Sequence, residues 1–141
     1  MAQTTASYSG IATTVTLELN DISGSSNQVS STEQRRGSGE GYTFDGDVAI
    51  IKAGKREPVE VTFRIIYTEE ALEGWELAKA AFEAAGGTAV DISWILEAGA
   101  TTWTITDGII TRLQYPQADP TDANPVMVEF SVRAPEITTA A

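Results

Sequence analysis

Period-two alternation of apolar and polar residues governs this chain, and it lies on both sides of a single stretch with helical spacing. Val59, Val61, Phe63, Ile65 and Tyr67 alternate with Glu60, Thr62, Arg64 and Ile66. Val126, Val128, Phe130 and Val132 alternate with Met127, Glu129, Ser131 and Arg133. Successive side chains of a strand point to opposite faces, so these runs predict strands with one buried face. Shorter runs of the same kind predict strands around Val15–Leu19, Gly41–Ile51 (Tyr42 and Phe44 on one face), Val90–Leu96, Trp103–Ile105 and Ile109–Tyr115. Turns are expected at Lys52–Lys55, Glu97–Ala100 and Asp107-Gly108, and a loop at Pro116–Pro125. Between the two flanks, Thr68 reads as a helix N-cap followed by Glu69 and Glu70. Leu72, Trp75, Ala78, Phe82 and Ala85 then recur on one helical face, and Gly86-Gly87 ends it. The expected fold is mainly β: an antiparallel β-sandwich or split barrel of seven or eight strands with one flanking α-helix.

A chain of 141 residues predicts one domain. Residues 1–12 read as an N-terminal arm with Tyr8 and Ile11 as anchors, 13–135 as the β domain and 136–141 as a C-terminal tail. There is no Cys and no His, which excludes thiol nucleophiles, His-based triads, disulfides and most zinc sites. The net charge of -11 repels polyanions, and the adjacent basic pair Arg35-Arg36 is flanked by Glu33 and Glu40, so tight nucleic-acid binding is not expected. No apolar run approaches the ~20 residues needed to span a bilayer, so no membrane anchor is expected. The start, Met1 to Thr5, lacks the basic and apolar regions of a signal peptide, which makes synthesis in the cytoplasm the expectation.

Little else in the chain points to catalysis, and no cofactor or metal is expected. Gly37–Gly41 lacks the Lys-Ser/Thr ending of a phosphate loop. Asp119-Pro120-Thr121-Asp122 lacks the glycine and closing Glu of a calcium loop. Glu69 and Glu70 are explained by the helix start. Trp75, Trp94 and Trp103 read as core, with a sugar-binding platform as the alternative. The stretch Asp21 to Gly41 breaks every pattern, since Ile22 and Val29 are its only aliphatic residues. Two readings of it stand: a surface loop, or a segment that orders only against a neighbouring subunit.

The order of parts then carries a resemblance. A strand and the long polar stretch precede Tyr42-Thr43-Phe44-Asp45-Gly46. After these come Ile65-Ile66-Tyr67-Thr68-Glu69, the helix with Trp75, Ile92-Ser93-Trp94 and the last strand. Over residues 13–135 this layout resembles the major tail tube protein of long-tailed bacteriophages, a fold related to contractile-tail tubes and the tube of type VI secretion. The resemblance implies a structural virion protein of the tail, assembled in the host cytoplasm. Six copies would form a ring, and rings would stack into a conduit through which genomic DNA passes without specific binding. It implies tape measure, terminator and tail-tip proteins as partners. It also makes residues 21–41 an assembly loop, with Val29, Glu33, Arg35 and Arg36 as contact residues. Glu18, Glu60 and Glu129, each opposite an apolar row, are the candidates for the lumen lining. The alternatives are a secretion-type tube, a tail terminator or decoration protein, or a carbohydrate-binding β-sandwich.

Overall fold

The computed structural model describes residues 2–4, 7–97 and 99–140. Met1, Thr5 and Ala6 of the expected arm, Ala98 of the expected turn and Ala141 of the expected tail lie outside the described residues. The strands are β1 (Thr14–Leu17), β2 (Asn20–Asp21), β3 (Ser26–Val29), β4 (Arg36–Gly41), β5 (Ile50–Arg56), β6 (Val59–Ile66), β7 (Val90–Ile95), β8 (Thr102–Leu113), β9 (Met127–Ala134) and β10 (Ile137–Ala140). One helix, α1 (Gly74–Glu83), lies between β6 and β7. An eight-stranded sheet runs in the order β2-β1-β7-β8-β9-β6-β3, with β10 pairing on β8, and every pairing is antiparallel. The sheet curls but does not close into a barrel.

The long alternations form the centre of the core. β6 and β9 pair in unbroken register from Val59↔Ala134 to Ile66↔Met127. Val59, Val61, Phe63 and Ile65 are buried opposite Val128, Phe130, Val132 and Ala134, and the Phe63 and Phe130 rings stack at 5.3 Å. Trp94 of β7 meets Phe63 edge-on at 5.9 Å. Those two strands are not neighbours in the sheet, so this contact spans the interior and shows the sheet folded over on itself.

The fold-over happens in β8. Its first half pairs with β7 and β10, and its second half with β9. Asp107-Gly108, expected as a turn, is instead a bulge inside this continuous strand. Asp107 takes a left-handed φ of 55°, and the register shifts there. The local chemistry is that of a turn, but Ile109–Leu113 find partners on β9, so the chain bends and goes on. Gly108 is required at the bend, because a Cβ there would lie 2.5 Å from Val132 Cγ1.

Further expectations are corrected. The helix begins at Gly74 rather than just after Thr68, and Glu73 occupies the N-cap position. Gly74, Trp75, Ala78 and Ala81 turn inward, while Leu72 is 65% and Phe82 37% exposed. Gly74 packs so tightly that an added Cβ would be 3.2 Å from Ile65 Cδ1, so the helix opens on a residue without a side chain. Asp21–Gly41 is largely ordered within the chain: Ile22 is buried, Val29 packs on the core from β3, and Ser26–Val29 pair with β6. Gly41–Ile51 is not a strand, since Tyr42–Ala49 connect β4 to β5, and β5 runs through the expected turn at Lys52–Lys55. Residues Ile137–Ala140, expected as tail, form β10 beside Thr102–Ile105.

Candidate assembly surface

β4 and β5 pair only with each other and stand apart from the main sheet as a two-stranded arm. Their pairing rests on backbone. Gly37 and Gly54 face each other so closely that a Cβ on Gly54 would lie 2.8 Å from the Gly37 carbonyl oxygen. The connection at the tip exposes Tyr42 (68%), Val48 (82%) and all of Phe44, and Ile50 and Ile51 are exposed just below it. A lone two-stranded sheet is marginal in water, so this arm depends on how its base is held.

Gln34 holds that base. Its Nε2 donates to the carbonyls of Glu57 (3.2 Å) and Pro135 (3.1 Å), and its Oε1 accepts from Arg56 Nη2 (2.6 Å) and the Ile137 N–H (3.4 Å). Arg56 also forms an ion pair with Glu136 at 2.7 Å. The arm is thereby tied to the corner between β9 and β10. None of Gln34, Arg56 and Glu136 stands out in the sequence, because the clamp joins residues about a hundred positions apart. The expected contact residues divide. Arg35 pairs with Glu33 at 3.1 Å, and Arg36 donates to the Gly54 carbonyl at 3.0 Å, so all three lie at the arm's base. Val29 is half-buried in β3 and belongs to the body.

Charge is segregated between arm and body, a signal that was legible in the sequence. The arm, residues 36–56, holds four basic and three acidic side chains, a net +1. The remaining residues hold five basic and seventeen acidic, a net -12.

The three candidate lumen carboxylates do not share one surface. Glu60 and Glu129 lie on the outer face of β6 and β9, interleaved with arginines: Glu60 is opposite Arg133, and Glu129 is opposite Arg64 and pairs with Arg112 at 3.2 Å. Glu18 is in the turn between β1 and β2 with a left-handed φ of 56°, and its carboxylate accepts from the Asp91 N–H at 3.3 Å. Asp119 accepts from the Thr121 N–H and hydroxyl, and Asp122 from the Asn124 N–H, so both cap local turns. Among the described residues no group of three or more metal-ligating side chains occurs.

Two adjoining cavities of ≈310 and ≈320 Å³ follow the open seam beside β3 and share Ser30, Trp94 and Leu96. Ile11 and Val29 line one, Trp103 and Ile137 the other, and no charged residue lines either. Trp94 and Trp103 face each other across β7 and β8, whereas Trp75 is buried under the helix.

No protein-family model and no curated protein sequence matches the chain. Solved structures do. A chain of the PVC sheath–tube complex of an extracellular contractile injection system superposes with a TM-score of 0.78 at 19% identity, over 97% of this chain and 93% of that one. A chain of the anti-feeding prophage tube-terminating cap gives 0.80 at 16%, over 100% and 95%. A chain of the 6-fold symmetrised anti-feeding prophage baseplate gives 0.75 at 13%, over 100% and 98%. The chain has a tail-tube-like fold. Both anti-feeding prophage superpositions cover this chain in full, its arm and clamp included.

Proposed function

We propose that this chain is a structural subunit of a tail-like tube, six copies to a ring, with stacked rings enclosing a lumen for genomic DNA. The observation that carries the reading is the arm: a clamped two-stranded sheet with an exposed aromatic tip, set apart from the main sheet of a tail-tube-like fold. An apolar tip of this kind suits contact with another subunit. The 6-fold symmetry named for one similar assembly supports rings of six. In this reading the tube lies in the tail of a virion or related particle, is assembled in the host cytoplasm, and meets tape measure, terminator and tail-tip proteins. Glu60 and Glu129 on one face, or Glu18 on its turn, line the lumen. A second reading, a terminator or cap that forms one ring and stops, is favoured by the similarity to the tube-terminating cap.

Negative-stain imaging of the concentrated protein tests both. Stacked rings or tubes are expected, and single rings alone would select the terminator reading. Monomers across a wide range of concentration and salt would sink both.

A further inference from the structure

We propose that Asp45-Gly46, in the connection at the tip of the arm, is a self-modifying site at which the chain converts its own aspartate to isoaspartate. The dipeptide occurs twice in the sequence, at Asp45-Gly46 and at Asp107-Gly108. A glycine after an aspartate leaves the backbone nitrogen unshielded, since it has no Cβ and turns freely. The Gly46 nitrogen attacks Cγ of the Asp45 carboxyl in its acid form. A C–N bond forms, the N–H proton and the carboxyl OH leave as water, and a succinimide ring results. Water then opens the ring. Opening at the side-chain carbonyl restores aspartate. Opening at the main-chain carbonyl leaves the chain running through Cβ, with an extra methylene in the backbone and a free α-carboxylate beside it. The water taken up in the second step balances that released in the first, and no oxidant or cofactor is consumed.

The fold separates the two dipeptides. Thr43–Val48 are all exposed, and Asp45 and Gly46 lie between the paired segments of β4 and β5. Among the described residues the Asp45 carboxylate has no hydrogen-bond or ion-pair partner, so its side chain swings freely over the following nitrogen. Asp107 is held instead. Its N–H donates to Asp91 Oδ1 at 2.9 Å, its φ is 55°, and Gly108 is buried opposite Val90 in the ladder. A Cβ at Gly108 would meet Val132 Cγ1 at 2.5 Å, so β8 leaves little space at its bulge for a ring to close. Reaction there waits for β8 to open, whereas the tip reacts in the folded state. The product changes the arm and not the body, because the added methylene shifts Phe44 relative to Val48 and touches no core residue. On the self-assembly reading, on which this consequence alone rests, a chain left unassembled gradually loses a fitting tip.

The test is storage of the purified chain in warm, neutral buffer, then labelling with an isoaspartyl methyltransferase and radiolabelled S-adenosylmethionine. Label should accumulate in the tryptic peptide Gly37–Lys52, while Ala80–Arg112, which contains Asp107, should lag by about a hundredfold or more. Storage in urea should bring the two peptides to similar label. Asp45→Glu should reduce the label in Gly37–Lys52 to background, because closure would need a larger ring. Asp45→Asn should raise it, because ammonia leaves more readily than water. Folded chain with no more label at Gly37–Lys52 than at Ala80–Arg112 overturns the proposal, and so does undiminished label in Asp45→Glu. Light scattering of fresh and stored protein reads the consequence: the unaltered chain should lose association on storage and Asp45→Glu should keep it. If Asp45 is labelled and stored chains associate as fresh ones do, the link to assembly falls. If fresh chains do not associate at all, the self-assembly reading falls while the labelled site stands.

Discussion

Trp75 and Phe82 lie on one predicted helical face, yet the helix buries the first and leaves the second at its edge. Trp75 is packed between Tyr67 and Tyr115, with ring centroids at 5.3 and 5.9 Å. Trp75→Ala should therefore cost about 3–5 kcal/mol, whereas Phe82→Ala should cost about 1 kcal/mol or less. Urea titration of both variants checks the pair, and equal losses would mean that the helix packs through another face. Gly108→Ala should cost ~1–3 kcal/mol, since a methyl group has no room beside Val132 and Ile105; an unchanged urea midpoint would show that β8 does not bend as described. Asp21 supplies a pH signature. The Ser23 hydroxyl and N–H both donate to its carboxylate and hold its pKa below the ordinary aspartate value. A depressed value in the folded state means that the ionised form favours folding. The contribution is present above the ordinary value and is lost as pH falls through the folded one. Carbon-detected NMR titration should place Asp21 below an unstructured aspartate, and a value at or above that reference contradicts the turn.

Deletion through the polar stretch separates two elements that the sequence joins. Removing Ser23–Gly39 would take out β3, with its pairing to β6, and Gln34 at the clamp, so that variant should not fold. Joining the chain across Ser38–Lys52 with a short turn should instead keep the body's circular dichroism and melting midpoint while abolishing association. Long tubes from the trimmed protein would show that the arm is dispensable. Gly54→Ala should act in the same direction by forcing β4 and β5 apart at Gly37. The contrast explains what was legible beforehand. β6 and β9 announce themselves because each buries every second residue against the core. β4, Arg36-Gly37-Ser38-Gly39-Glu40-Gly41, buries nothing and is a strand only through its pairing with β5, so no periodicity marks it. The helix starts later than the sequence suggests because Thr68 and Glu69 have the chemistry of a cap while serving other contacts. The Thr68 hydroxyl bonds the Glu73 carboxylate, and the Tyr67 hydroxyl donates to Glu69 at 2.7 Å.

Across the whole molecule, the opposed charges of arm and body should control association. Lys52→Glu with Lys55→Glu turns the arm from net +1 to net -3. Light scattering should show weaker association than the unaltered chain at low salt. The gap should narrow as salt rises, since charges are screened beyond about 10 Å at 0.1 M and about 3 Å at 1 M. A gap that does not change with salt would mean that the lysines act through shape. The lumen assignment has its own test. Tubes carrying Glu18→Lys, Glu60→Lys or Glu129→Lys are expected to assemble, and those altered at true lining positions should retain DNA in a salt-sensitive way; no retention in any of the three would move the lumen elsewhere. The seam groove also governs timing. The strands of the arm pair only with each other, but the clamp at its base closes only once Pro135, Glu136 and Ile137 have been made. The groove draws its walls from Ile11 to Ile137, and the sheet around it joins Thr14 to Ile95 and Val59 to Ala134. Contacts so distant along the chain form late. Clamp and groove both draw on Ile137, so a nascent chain carries an unclamped arm and an open groove until its last strand is in place.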